Sequence, residues 1–145
     1  MHKICTSLSN AGFDVKLIGR LRKKSVDFNP EKYSYHRIRC CFNKGKLFYL
    51  EYNLRLFLHL WFSSFDIISA VDLDTIVACY YASKLKSKPI VFDAHEYFPE
   101  VPEVITRPAI RSVWLFIERL FVPRIKYLYT VSDGLAAIFK EKYNL

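Results

Sequence analysis

An α/β fold of Rossmann type, a parallel sheet with helices on both faces, is the fold class this sequence predicts. Three observations predict it. From Asp66 onward, short apolar runs alternate with amphipathic segments of helix length. Helices between successive strands form βαβ units, and right-handed crossovers assemble such units into a parallel sheet covered on both faces. At 145 residues the chain has the length of one domain and is too short for two lobes flanking a cleft.

The elements follow in order. Ile4, Cys5 and Leu8 recur at helical spacing in His2 to Asn10, and Ala11-Gly12 stops that helix. Phe13 to Gly19 alternates apolar and polar residues as a strand, and Tyr33 to Phe42 is a second strand-like run after a polar loop. Lys46 to Phe62 is nearly all apolar, yet Glu51, Arg55 and His59 recur every four residues as one polar stripe on a helix. Two ionisable groups near its middle and a marginal length weigh against a spanning segment. The pattern fits a buried core helix first, an in-plane membrane-docking helix second and a spanning helix last.

Beyond it come strand Asp66 to Ala70, helix Asp74 to Leu85, strand Pro89 to Asp93 and a proline-broken loop. A helix from Pro108 to Val122, strand Tyr127 to Val131, and a last helix opened by Ser132 or Asp133 complete the chain. Proline suits the first helical turn, where its missing N–H has no partner to lose. Ile110, Val113, Trp114, Ile117, Leu120 and Phe121 form a core stripe on the Pro108 helix, with Arg107, Arg111, Glu118, Arg119 and Arg124 around it; the arginines read as a solvated face first and as phosphate contacts second.

A formal charge of +8 and 52% hydrophobic residues describe a basic, sticky surface rather than a membrane bundle, since 25% of residues are charged. The run Arg20, Arg22, Lys23, Lys24 reads as a solvated loop. Nucleic acid is a poor partner, because the aromatics sit in apolar elements and are not interleaved with Lys and Arg on a platform. Cys5, Cys40, Cys41 and Cys79 show no C-x-x-C spacing, so a metal site is not expected. The amino terminus lacks the apolar core of a secretory signal, which points to reduced thiols in the cytoplasm. With four glycines and no G-x-G-x-x-G after a strand, a dinucleotide enzyme is disfavoured.

In an open parallel sheet, ligands gather beyond the carboxyl ends of the strands. Two segments fall there: Asp93-Ala94-His95-Glu96, and Thr130-Val131-Ser132-Asp133-Gly134. Asp93, His95 and Glu96 place two carboxylates and an imidazole within four residues, enough to orient a sugar hydroxyl or handle a proton. The plainer alternative has Asp93 capping a turn and His95 bonded to a neighbouring carbonyl.

Read together, H-K-I-C-T-S-L-S-N-A-G-F-D-V-K-L-I-G, V-F-D-A-H-E-Y-F-P-E-V-P-E, and W-L-F-I-E-R followed by Y-L-Y-T-V-S-D-G-L-A resemble the amino-terminal domain of family 4 glycosyltransferases. The version they look most like is that of bacterial surface-polysaccharide clusters. These are retaining GT-B enzymes. The resemblance implies one half of a GT-B enzyme, the acceptor side, with His95 at the catalytic position close to the reacting sugar. Asp93 and Glu96 would then shape the substrate pocket, and Ser132 would open a helix facing the cleft, with helix capping as its plainer role. It implies no cofactor on this chain and a nucleotide-sugar donor held by a carboxy-terminal domain. The implied partners are a sugar or lipid-linked acceptor, that second domain and, peripherally, an anionic membrane at the inner face of the plasma membrane.

The same resemblance implies that a first apolar strand is lacking ahead of His2. Phe13 to Gly19 and Asp66 to Ala70 would then present unpaired backbone edges, and the chain is expected to be a fragment, a mis-started frame or a decayed gene, inactive alone. The alternative reading is a non-catalytic, basic, membrane-associated binding module.

Overall fold

A computed structural model of the chain describes residues 1–23, 25, 30 and 32–144. The residues form two compact units, Met1–Tyr52 and Asn53–Leu145. All strand pairs are parallel, and the expected single sheet is two ladders, β1-β2 in the first unit and β3-β4-β5 in the second.

In the first unit, α1 (His2–Asn10) buries Cys5 and ends at Gly12, whose φ of 92° is the left-handed conformation that glycine adopts without steric cost. β1 (Lys16–Leu21) pairs with β2 (Ser34–Arg39) in register from Lys16↔Ser34 to Leu21↔Arg39. β1 starts later than the alternation predicts, because the Phe13 N–H closes the end of α1 on the Leu8 carbonyl. β2 ends earlier than predicted for a similar reason. The backbone N–H groups of Cys41 and Phe42 donate to the Glu51 carboxylate at 2.8–2.9 Å, leaving the ladder.

The basic run is not all loop. Arg20 lies in β1, its guanidinium 3.9 Å from the centre of the Phe48 ring and donating to the Asn43 carbonyl at 2.9 Å. Lys24 lies outside the described residues.

α2 (Gly45–Phe62) runs through the boundary between the units. Phe48, Tyr52, Leu56 and Leu60, one every four residues, are buried, whereas Leu47, Leu50, Leu54, Leu58, Trp61 and Phe62 are exposed. The expected core helix is therefore core along one stripe only. Among the described residues no helix is long and apolar enough to cross a membrane.

In the second unit, β3 (Ile68–Val71), β4 (Ile90–Ala94) and β5 (Tyr127–Thr130) lie side by side in sequence order. α3 (Leu73–Lys86) joins the first two, and α4 (Pro102–Ile105) and α5 (Pro108–Phe121) lie between the last two. α6 (Asp133–Tyr143) follows β5. Alternate strand residues Ile68, Ala70, Ile90, Phe92 and Ala94 are buried. Phe139 of α6 meets Phe92 edge-on at 6.3 Å, and Phe121 of α5 meets Tyr80 of α3 at 5.1 Å. Each such side chain contributes about 1.5–3 kcal/mol on burial. Of the core stripe expected on the Pro108 helix, Trp114 packs on Phe98 at 4.8 Å and Phe121 is buried, whereas Ile110 and Val113 are exposed.

Glu118, beside the core stripe of α5, turns inward. It is fully buried, and its Oε1 accepts from Lys142 Nζ and from the Tyr143 hydroxyl, both at 2.5 Å. Helical spacing from the Trp114 stripe does not reveal this, because the two partners come from α6.

Candidate functional site

The site is built at the carboxyl end of β4. Successive side chains on extended backbone point to opposite sides, so Asp93 and His95, two apart, share a side. The register Asp93↔Tyr129 brings a β5 side chain to the same place. His95 Nε2 lies 3.0 Å from Asp93 Oδ2, and the Tyr129 hydroxyl donates to that same oxygen at 2.5 Å. Asp93 is completely buried, and its other oxygen, Oδ1, is buried without a hydrogen-bond partner. The His95 side chain is 29% exposed. The carboxylate thus lies behind the imidazole, and the ring is the part that meets solvent.

β3 supplies the second support. Asp72 occupies the position just before α3, but its side chain makes no cap on that helix. Its Oδ1 instead accepts the backbone N–H groups of His95 at 2.9 Å and Glu96 at 3.3 Å, while its own N–H donates to the Asp93 carbonyl at 2.9 Å. Asp72 does this at φ 55°, ψ 174°, a backbone region that strongly favours glycine. Such strain is sustained only where surrounding bonds fix it, and it clusters at functional sites.

Burial raises the Asp72 carboxyl above its ordinary value, against the lowering effect of the two N–H donors. Asp74, in the first turn of α3, is pushed up to about 6, first by burial and then by the neighbouring charge of Asp72. Cys79, further along α3, is pushed up to about 12 by burial, which keeps it a thiol.

The residues singled out in the sequence fare differently. Asp93 and His95 are in direct contact, and Glu96 is attached to the same turn through its backbone with its side chain in solvent. Ser132 caps α6, its Oγ accepting from the Leu135 N–H at 3.3 Å. Two residues of the arrangement, Asp72 and Tyr129, carry no sequence signal of their own. An aspartate at a strand-to-helix junction reads as an ordinary cap, and Tyr129 meets Asp93 only through the β4-β5 register.

A cavity of about 240 Å³ lies along β5 and α6, lined by Ile125, Leu128, Tyr129, Phe139 and Lys140 among others. Among the described residues β5 is the edge strand of its ladder, and Tyr129 belongs both to this lining and, through its hydroxyl on Asp93, to the cluster around His95. Among the described residues, no group of three or more His, Cys, Asp or Glu side chains is placed to hold a metal ion.

The family model for Glycosyltransferase Family 4 matches residues 1–145. The chain belongs to glycosyltransferase family 4. A Rossmann-like α/β fold and a glycosyltransferase type of function follow for this family 4 domain. No curated protein matches the sequence significantly.

Proposed function

We propose that this family 4 domain is the acceptor-side half of a retaining glycosyltransferase that moves a sugar from a nucleotide donor to a lipid-linked or polysaccharide acceptor. The observation that carries this reading is His95, presented at the end of β4 with Asp93 bonded to one ring nitrogen and the rest of the ring toward solvent. An imidazole so held offers one fixed hydrogen-bonding position to a sugar hydroxyl. Asp93 acts through His95, Glu96 offers a carboxylate to the acceptor from the same turn, and Ser132 orders the start of α6. The nucleotide sugar belongs, in this reading, to a second Rossmann-like lobe. No cofactor is assigned to this domain.

The test is a labelled-donor assay. The 145-residue chain alone should give no transfer, and the chain joined to a family 4 donor-binding lobe should transfer sugar. His95→Ala should then lower kcat at least about 100-fold with donor affinity unchanged, the scale of a lost positioned catalytic group. Equal transfer by His95→Ala, or turnover by the chain alone, would sink the reading.

A second reading rests on the exposed apolar stripe of α2 together with the +8 charge. It makes the domain peripheral to an anionic cytoplasmic membrane surface, either alongside transfer or as its only role.

A further inference from the structure

The oxygen Asp93 Oδ2 has two neighbours, and their roles are linked. Tyr129 donates its hydroxyl hydrogen to Oδ2 at 2.5 Å, and His95 Nε2 lies 3.0 Å from the same atom. A carboxylate oxygen that receives a phenol hydrogen is acting as an acceptor, so the hydrogen between ring and carboxylate belongs on Nε2. A hydrogen on the other oxygen is disfavoured too, because Oδ1 is buried with no partner to receive it. A neutral imidazole with hydrogen on Nε2 carries its lone pair on Nδ1.

We propose that Tyr129 is a positioning residue: by donating to Asp93 Oδ2 it fixes that oxygen toward the imidazole and thereby selects the His95 tautomer with hydrogen on Nε2 and a bare Nδ1. Without the phenol, the Asp93 carboxylate loses the bond that fixes Oδ2 toward the ring. Nε2–H then lacks a fixed acceptor, and the neutral ring divides between its two tautomers. The tautomer decides what the site can bind. A bare Nδ1 accepts from a hydroxyl, whereas an Nδ1–H would donate to a phosphate or carbonyl oxygen. The ligand class is therefore a hydroxyl donor, which rests on the proposed reading of His95 as the residue that meets the acceptor.

Long-range proton–nitrogen NMR of the histidine-labelled chain at about pH 8, where free imidazole is neutral, reads the tautomer directly. His95→Gln assigns the resonance. The wild-type chain should show one His95 tautomer, protonated at Nε2, and Tyr129→Phe should show a mixture with the remaining backbone spectrum in place. Hydrogen on Nδ1 in the wild type, or a pure Nε2–H tautomer in Tyr129→Phe, overturns the proposal. Should Tyr129→Phe not fold, 3-fluorotyrosine at position 129 keeps the ring and strengthens the donor. It should move the His95 ring nitrogens, and unmoved resonances overturn the proposal. None of these readings involves sugar transfer. Normal transfer by His95→Ala would end the functional reading and leave the tautomer assignment standing.

Discussion

Asp72 Oδ1 lies 2.9 Å from the backbone nitrogen of His95, so the end of β3 holds the turn that leaves β4. The hold depends on a side chain whose own backbone is strained at φ 55°. Two opposing effects can therefore be separated by substitution. Asp72→Ala removes the acceptor for two N–H groups and keeps the strain, and should cost about 2–4 kcal/mol. Asp72→Gly removes the same acceptor but relieves the strain, and should be about 1 kcal/mol more stable than Asp72→Ala. Urea denaturation of the pair measures the difference. An alanine variant at least as stable as the glycine variant would mean that Asp72 is not strained.

Asp74 predicts a stability that falls as pH rises. Its carboxyl is pushed up to about 6 in the folded chain, so the folded state holds that proton more tightly than the unfolded state does. The contribution is fully present below about pH 4, the ordinary aspartate range, and is lost as pH rises through about 6. Asp72, shifted in the same direction, adds to the slope. Asp74→Asn should flatten the unfolding free energy across this window and gain about 1–2 kcal/mol at neutral pH, allowing for partial exposure. A variant whose pH profile parallels the wild type would remove Asp74 as the cause.

The β-alternation and helix periods beyond Asp66 place β3 to β5, α3, α5 and α6 within a few residues, because local signals such as Pro108 or Ser132 bound them, whereas the short α4 falls in a segment that reads as a proline-broken loop. The strand ends in the first unit were not legible, since Phe13 gives its N–H back to the Leu8 carbonyl at the end of α1, and Cys41 and Phe42 give theirs to the Glu51 carboxylate. The site divides the same way. Asp93 and His95 share a side by their spacing alone, whereas Tyr129 and Asp72 join them through strand register and an unusual φ, which a linear sequence does not display.

Lys142 and Glu118 should be coupled in stability. Burial pulls the Lys142 ammonium down, but its bonds to Glu118 and to the Tyr97 hydroxyl outweigh that and hold it above its ordinary value. Lys142→Met leaves the fully buried Glu118 with Tyr143 on Oε1 and nothing on Oε2, and should cost about 3–5 kcal/mol. Glu118→Leu with Lys142→Met removes both charges and should recover most of the loss. A double-mutant cycle by urea denaturation measures the coupling. Additive losses would mean the pair does not interact energetically.

Leu47, Leu50, Leu54, Leu58 and Trp61 are spaced by three or four residues and all are exposed, so they form one apolar face that the described residues leave in solvent. An apolar face and a +8 chain act together on an anionic bilayer, the first by burial of side chains and the second by attraction to headgroups. Burying one leucine or tryptophan contributes about 1.5–3 kcal/mol, so losing two of them should weaken binding at least about 100-fold. Leu54→Glu with Trp61→Glu should therefore abolish co-sedimentation with phosphatidylglycerol vesicles while the fold is retained. Raising the ionic strength should weaken wild-type binding, because the headgroup attraction is screened within about 10 Å at 0.1 M salt. Neutral phosphatidylcholine vesicles should retain little protein for the same reason. A folded wild-type chain that ignores anionic vesicles would assign the stripe to protein contact, and a double variant that still binds would move the membrane surface away from α2.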